Sequence, residues 1–174
     1  MSSRGSRVRS WWWDYLVVTA WLLALLIGFG SATALGRINP FGLASRRGVG
    51  DVFVALTTVV PYLVYLVRTE AAPAHATWGK RRNGLTVVSV TGAPPGLRDV
   101  LLRNVVKVAP WQLGHVAALR FIHAGDEPPA SAISSNVLSM TLLVAVAGPP
   151  LIHRRGLHDL LAGTAVVVRQ PGMK

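Results

Sequence analysis

Long uncharged stretches alternate with short polar ones along this chain. Tyr15 to Gly36 and Pro128 to Ile152 contain no charged residue, and Val52 to Val67 is a shorter stretch of the same kind. At about 1.5 Å per residue, roughly 20 helical residues cross the 30 Å hydrocarbon core of a bilayer. The pattern therefore predicts transmembrane helices, the second of which Pro61 is expected to kink.

The segment LRDVLLRNVVKVAPWQLGHVAALRF is harder to assign. Arg103 and Lys107 stand four residues apart, so they share one face of a predicted helix, and Pro110 follows. Such a helix either lies in the interface or crosses the membrane, bent at the proline. The next loop, HAGDEPPA, has two acids and no Lys or Arg, which suits an external position and favours crossing. Crossing gives four membrane segments with both chain ends inside, whereas a surface helix gives three and puts the C-terminus outside.

Two β-branched runs predict a small sheet. An isolated strand is unstable, so we expect residues about 85–91 to pair with 164–170 on the cytoplasmic side. The predicted fold is an all-α helical integral membrane protein of three to four membrane segments with a small cytoplasmic β-hairpin-like sheet. It forms one domain, 1–174, with membrane segments at about 13–36, 49–68, 100–122 and 130–152 and cytoplasmic parts at 69–99 and 153–174.

The composition agrees with a basic membrane protein. Hydrophobic residues make up 51% of the chain, and 18 Lys and Arg against 7 Asp and Glu give a net charge of +11. A chain with so high a positive charge is expected to bind either nucleic acid or an anionic lipid surface. The long apolar stretches favour the second partner, a bilayer with anionic headgroups. No nucleic-acid recognition signature is present, so nucleic acid is not an expected partner.

The distribution of arginine predicts the orientation. Arg4, Arg7 and Arg9 precede the first apolar stretch, which places the N-terminus in the cytoplasm. We expect a multi-pass protein of a bacterial inner membrane with a cytoplasmic C-terminus. The arginine-rich loop from Arg37 to Asp51 disagrees with this orientation. A signal peptide is the rival interpretation of the first stretch, because Ala32–Ala34 offers a cleavage site, but the stretch is long and further spans follow.

Asp14 stands at the start of the first apolar stretch, seven residues after Arg7 and so on nearly the same helix face. A carboxylate at membrane depth costs about 2.5–3.5 kcal/mol on insertion scales, and a partner lowers that cost. We expect arginine at the inner face to hold it. Three interpretations stay open: a solvated end charge in the headgroup zone, an ion or proton site, and a buried ion pair that fixes packing.

Asp159 is the second carboxylate of interest, because it opens the stretch that leads into the last strand. Arg154 and Arg155 precede it by about one helical turn, so a local salt bridge is one interpretation.

Two stripes predict packing between helices. Gly28, Ala32 and Gly36 form a small-xxx-small pattern that suits close approach of another helix. A polar stripe enters the last apolar stretch and is expected to hydrogen-bond across helices, with a cavity lining as the alternative: Ser131, Ser134, Ser135, Asn136 and Ser139.

Catalytic chemistry is not indicated. The chain has no cysteine, which excludes disulfides, thiolate metal sites and cysteine nucleophiles. Its five histidines show no helical metal-site spacing, and no nucleophile elbow or Walker loop occurs. We therefore expect no enzyme activity, no metal and no cofactor.

The motifs resemble the RDD family of small bacterial membrane proteins, which is named for an arginine and two aspartates. Arg7 and Asp14 stand in the matching place, TWGKRRNGLTVVSVTG is similar to the central segment of the family, and LLRN matches the start of its next helix. RRGLHDLLAGTAVV is similar to its ending, with Asp159 as the second aspartate. The candidate functional or structural charges are Arg7, Asp14, Lys80, Arg81, Arg103, Arg155 and Asp159.

The chain also departs from the family pattern. A Trp-rich run replaces the usual aliphatic entry to the first helix, and the stretch from His123 to Asn136 is longer than the family needs. Both departures concern the topology in detail.

The resemblance implies little mechanism, because the role of the family is mostly unassigned, with cation and proton exchange suggested for some members. One hypothesis is a transporter-like protein, coupled to cations or protons through Asp14, which in so short a chain calls for a homo-oligomer. The alternative is a non-catalytic accessory or assembly subunit that docks on a larger membrane complex.

Overall fold

The computed structural model describes residues 4–44, 46, 48–124, 127–152 and 155–169. His153, Arg154 and Gln170, which belong to predicted segments, lie outside the described residues. The helices are α1 (Arg4–Ala34), α2 (Pro40–Ala44), α3 (Val49–Val54), a π-helical turn (Ala55–Val59), α4 (Val60–Ala71), α5 (Trp78–Arg82), α6 (Leu97–Ile122), α7 (Ala130–Leu151) and α8 (Leu157–Leu161), and the strands are β1 (Leu85–Ser89) and β2 (Thr164–Val168).

Three of these helices are long and apolar enough to cross a membrane: α1, the continuous helix Val49–Ala71 formed by α3, the π turn and α4, and α7. This indicates a membrane protein, as the apolar pattern predicted. Within α1, residues 15–34 alone extend about 30 Å, the thickness of a hydrocarbon core. Asp14 therefore lies at the boundary of the apolar part of its helix rather than in the middle.

The prediction that Pro61 distorts the second span has a structural counterpart. The π turn Ala55–Val59 ends two residues before this proline. Proline has no N–H to donate to the carbonyl four residues earlier, which belongs to Thr57. The indole Nε1 of Trp21 in α1 donates to that carbonyl at 2.8 Å. A tryptophan on the neighbouring helix thus satisfies the backbone group that Pro61 leaves open.

Helix α6 runs the whole length of the bundle. Near its start the Arg103 side chain reaches Glu70, at the end of α4, and near its other end Arg120 pairs with Asp51, at the start of α3, at 3.1 Å. The helix is continuous through Pro110 and packs along α7 as well. Helix α6 therefore lies alongside the candidate spans, although it is not itself one of the three helices that are long and apolar enough to cross a membrane.

The two strands pair antiparallel, which confirms the predicted pairing. Leu85 faces Val168 and Ser89 faces Thr164, so each strand is five residues long and ends before the predicted limits. The sheet, α5 and α8 lie at the same end of the bundle as the start of α1, where Arg7 donates to the carbonyl of Val166 at 3.4 Å. We call this the sheet end of the molecule and the opposite one the far end.

The two predicted packing stripes have different outcomes. Ser139 is buried and its hydroxyl donates to the carbonyl of Pro110 at 2.7 Å, so this member of the polar stripe does bond across helices. The two glycines of the small-residue stripe meet no other element among the described residues: Gly28 and Gly36 are exposed, and a Cβ added at either would meet nothing within 4 Å.

Candidate functional site: a buried charge network beside a cavity

Asp14 is buried, with 4% of its surface exposed, and it holds α5 against α1. Its Oδ1 accepts hydrogen bonds from the Gly79 backbone N–H at 2.9 Å and from the Tyr65 hydroxyl at 3.0 Å. Its Oδ2 accepts from the Thr77 hydroxyl at 2.7 Å. The expectation that arginine holds this carboxylate is wrong. The partners are neutral groups of α4 and of the α5 turn, which lie 51 to 65 residues away in the sequence.

The close contact between α5 and α1 requires a glycine at position 79. A Cβ at this position would lie 2.1 Å from the carbonyl oxygen of Ser10 and 2.9 Å from the Oδ1 atom of Asp14. Only a residue without a side chain lets the α5 backbone come so near to α1.

Aromatic contacts hold the outer side of the same junction. Trp78 of α5 packs edge-on against Trp13 of α1, with ring centroids 5.2 Å apart. The guanidinium of Arg82 lies 4.3 Å from the centroid of the Trp13 ring, which is a cation–π contact. The Trp-rich run at the entry to the first helix therefore provides a packing surface for α5.

Glu70 is the centre of the buried charges. It is fully buried at the end of α4 and accepts from three side chains. Its Oε1 receives the Lys80 ammonium at 2.8 Å, and its Oε2 receives the Arg103 guanidinium at 3.0 Å and the Asn104 amide at 2.9 Å. A buried carboxylate is tolerated when it is paired and hydrogen-bonded in this way.

Arg103 extends this cluster to the C-terminal part of the chain. Its side chain is 2% exposed, and it joins Glu70 on one side and Asp159 on the other. The Thr164 hydroxyl closes the group, since it accepts from Arg103 at 3.2 Å and donates to Asp159 at 2.9 Å. Asp159 therefore pairs with a residue 56 positions away. The local salt bridge to Arg155 is not formed, and Arg154 lies outside the described residues.

Thr77 and Lys80 connect the two carboxylate sites. The Lys80 ammonium lies 3.4 Å from the Thr77 oxygen that donates to Asp14. The buried polar groups thus form one continuous network, which runs from α1 through α5, α4 and α6 to the start of β2. We call it the charge network; it consists of Asp14, Thr77, Lys80, Glu70, Arg103, Asn104, Asp159 and Thr164.

A cavity of about 120 Å³ adjoins the charge network. Part of its wall is charged and part is apolar or aromatic. The charged wall includes Arg7, Asp14, Lys80, Arg103, Lys107 and Asp159. The apolar wall includes Trp11, Tyr62, Trp111, Leu143, Val146 and Ala147.

The cavity reaches the outer surface of the helix bundle. Tyr15 and Leu143 both line it, and they are 49% and 38% exposed. These residues belong to α1 and α7, two of the helices that are apolar enough to face lipid. An opening between them would lead sideways into the bilayer, near the sheet end.

His158 lies against the same charges and stays uncharged. Burial, reinforced by the nearby positive charges of Arg103 and Lys107, lowers the pKa of His158 to about 2. Its Nε2 lies 3.4 Å from a carboxylate oxygen of Asp159, but a neutral imidazole there forms no ion pair.

Of the seven charges selected from the sequence, the structure brings five together. Asp14, Lys80, Arg103 and Asp159 belong to the charge network, and Arg7 lines the cavity beside it. Arg81 and Arg155 are exposed and do not take part.

Sequence reasoning missed Glu70, although a signal was present. It is the only acid between Asp51 and Asp99, and it follows an apolar stretch by a few residues. It also stands one helical turn after Leu66, so the two share a face, and both are fully buried. An isolated acid on the apolar face at the end of a predicted span is a candidate for a buried pair.

The comparisons with known proteins agree with the motifs. The model of the RDD family matches residues 2–163, which is nearly the whole chain and includes every member of the charge network except Thr164. No curated protein and no solved structure matches the chain. The match confirms the family resemblance.

Proposed function

The chain belongs to the RDD family, and from this premise we propose that it is a transporter-like, non-enzymatic component of a bacterial inner membrane in which Asp14 exchanges a proton or a small cation. The single observation that carries the proposal is the environment of the Asp14 carboxylate. It is buried on the wall of a cavity, and among the described residues no Lys or Arg is its hydrogen-bond or ion-pair partner.

The contrast with the other buried carboxylates supports the choice of Asp14. Glu70 and Asp159 each contact a cation, so a proton or metal ion arriving there would compete with an existing ion pair. Asp14 accepts three hydrogen bonds from neutral donors, and its Oδ2 accepts only one of them. A carboxylate oxygen has two lone-pair directions, so Oδ2 retains one toward which a proton or a cation can bind.

The test is flux in proteoliposomes that enclose a pH-sensitive dye, with Na⁺ or K⁺ added outside. The central variant is Asp14→Asn, because an amide oxygen still accepts from Gly79 and Tyr65 while its NH₂ group can donate to Thr77. Docking of α5 is then retained and only the exchangeable charge is removed. We expect wild-type protein to move protons in response to the cation gradient and the Asn variant to lose this response.

The matched control is Glu127→Gln, which neutralises an exposed carboxylate. It should leave flux unchanged, and gel filtration in detergent should show all three proteins folded alike. If the Asp14→Asn variant keeps its flux, the carboxylate has only a role in packing. Absence of flux from well-folded wild-type protein would overturn transport altogether.

An accessory subunit is the second candidate, and one observation favours it. The part of α1 toward the far end carries large exposed side chains, such as Leu26 and Ile27 at 69% and 68%, and Gly28 beside them is open. An open glycine on an apolar helix suits close packing by a helix of another membrane protein. Replacing Gly28 with Leu should then weaken co-purification of a partner without changing the stability of the chain itself.

A further inference from the structure

The charged wall of the cavity carries an unbalanced positive charge. Among the described residues, four cationic side chains line it (Arg7, Lys80, Arg103 and Lys107). They face three carboxylates, of which Asp14 and Asp159 line the cavity and Glu70 lies directly behind it. Lys80, Arg103, Glu70 and Asp159 neutralise one another through contact ion pairs.

Lys107 lies outside these ion pairs, as does Arg7, whose guanidinium donates to the carbonyl of Val166. The side chain of Lys107 is half-buried in α6 and lines the cavity, one helical turn after Arg103. Within the part of the chain that the structure describes, no side-chain hydrogen bond or ion pair of Lys107 is formed. An ionisable side chain at membrane depth is costly unless a counter-charge compensates it. The cavity is the place from which a counter-anion would reach this ammonium.

The other walls indicate what kind of anion fits. Trp11, Trp111 and Tyr62 form an aromatic side, and Val146 and Ala147 of α7 form an aliphatic one. A small free anion would gain nothing from these walls, whereas an acyl chain attached to the anion would cover them.

The height of the cavity along the bundle points to the same class of ligand. Asp14 lies at the boundary of the apolar part of α1, and Lys107 lies within the first half of α6 on the same side of the molecule. This is the level at which lipid headgroups meet the hydrocarbon core. Basic pockets between transmembrane helices at this level suit anionic lipid headgroups.

From these observations we propose that the cavity binds an anionic phospholipid, whose phosphate takes Lys107 as its partner with Arg7 beside it and whose acyl chain leaves between α1 and α7. The ligand would enter sideways from the leaflet at the sheet end. This proposal deepens the proposed function, because it names the chemical class of the ligand in the cavity beside Asp14.

Binding is measured by native mass spectrometry of the full chain in a neutral detergent. The probes are short-chain phosphatidylglycerol, phosphatidylcholine with the same acyl chains, and inorganic phosphate. Both lipids present a phosphate, but the choline ammonium of phosphatidylcholine cancels its charge and would be repelled by Lys107 and Arg7. We therefore expect phosphatidylglycerol to bind at least about tenfold more tightly than phosphatidylcholine. Inorganic phosphate should not displace it at equal concentration. Equal binding of the two lipids would overturn the proposal. Displacement of the lipid by phosphate would also overturn it, because the site would then be one for a free anion.

Three variants and a control locate the site. Lys107→Gln should lose the preference for phosphatidylglycerol, and Lys107→Arg should keep it. Arg98→Gln removes an exposed charge at the start of the same helix and should leave the preference unchanged. Ala147→Phe should weaken the binding of both lipids equally, because the larger side chain fills the space beside the apolar wall without changing the charge of the cavity. A preference that survives Lys107→Gln, or that Arg98→Gln removes equally, would show a general surface effect and overturn the assignment.

The binding assay does not depend on transport activity, so the transport proposal and the lipid-site proposal can be refuted independently. Protein that binds phosphatidylglycerol through Lys107 but moves no protons would refute transport alone. Protein that moves protons through Asp14 but shows no lipid preference would refute the lipid site alone.

Discussion

Replacing Glu70 with Gln tests whether the charge network holds the sheet end together. The substitution keeps the shape of the side chain but removes its negative charge, so Lys80 and Arg103 lose the carboxylate that they share at 2.8 and 3.0 Å. All three side chains are at most 5% exposed, and water therefore cannot replace the lost partner. Breaking a buried pair by removing one member costs about 3–5 kcal/mol. We expect the free energy of unfolding to fall by about that amount.

The assay is unfolding in mixed micelles with a denaturing detergent, followed by tryptophan fluorescence. Lys80→Met provides the second arm of a double-mutant cycle, because it removes one of the two cations that Glu70 neutralises. The double variant should be less destabilised than the sum of the single variants, by about 0.5–3 kcal/mol. Glu127→Gln, at an exposed position, should change stability by less than about 0.5 kcal/mol. A loss below about 1 kcal/mol in Glu70→Gln, or strict additivity in the cycle, would refute the reasoning.

Two further predictions concern the same end of the molecule. Gly79→Ala should destabilise the fold by about 1–3 kcal/mol, because its Cβ would collide with the Ser10 carbonyl. The control is Gly5→Ala, where the added Cβ lies in open space on a helix. This control should be neutral or stabilising in the same unfolding assay. His158 has its pKa lowered to about 2 in the folded state, so below about pH 6.5 only the unfolded chain takes up its proton and stability falls. Between pH 7.5 and 5.5 this loss should be about 1 kcal/mol, and His158→Gln should remove it from the pH dependence; an unchanged slope in that variant would contradict the assignment.

The predictions of structure from sequence succeeded where the signal is local. The uncharged stretches coincide with the long helices, and the β-branched runs coincide with β1 and β2. Their pairing was predictable because two short strands with nothing else to pair with are unstable alone. The family motif also identified Asp14, Lys80, Arg103 and Asp159 as charges of interest, and the structure buries all four.

The partners of these charges were predicted wrongly because sequence reasoning looked for nearby residues. Asp14 was assigned to an arginine one or two turns away, but its donors come from α4 and the α5 turn. For Asp159 a local salt bridge to Arg154 or Arg155 was one interpretation, but the structure pairs it with Arg103. In both cases a helical turn of separation made a local partner possible, and packing of distant segments supplied a better buried one.

What the sequence by itself determined is the set of segments that must be helical and apolar. In lipid, a backbone must satisfy its own hydrogen bonds, and a run of about 20 uncharged residues satisfies them as a helix. What only the tertiary structure decided is how the charges at the ends of those helices are matched: Glu70 stands at the centre of the ion pairs, and Lys107 forms none with the described residues. The physical reason is that a buried charge is stabilised by whichever group the packing brings within about 3 Å, and periodicity along the chain does not encode that distance.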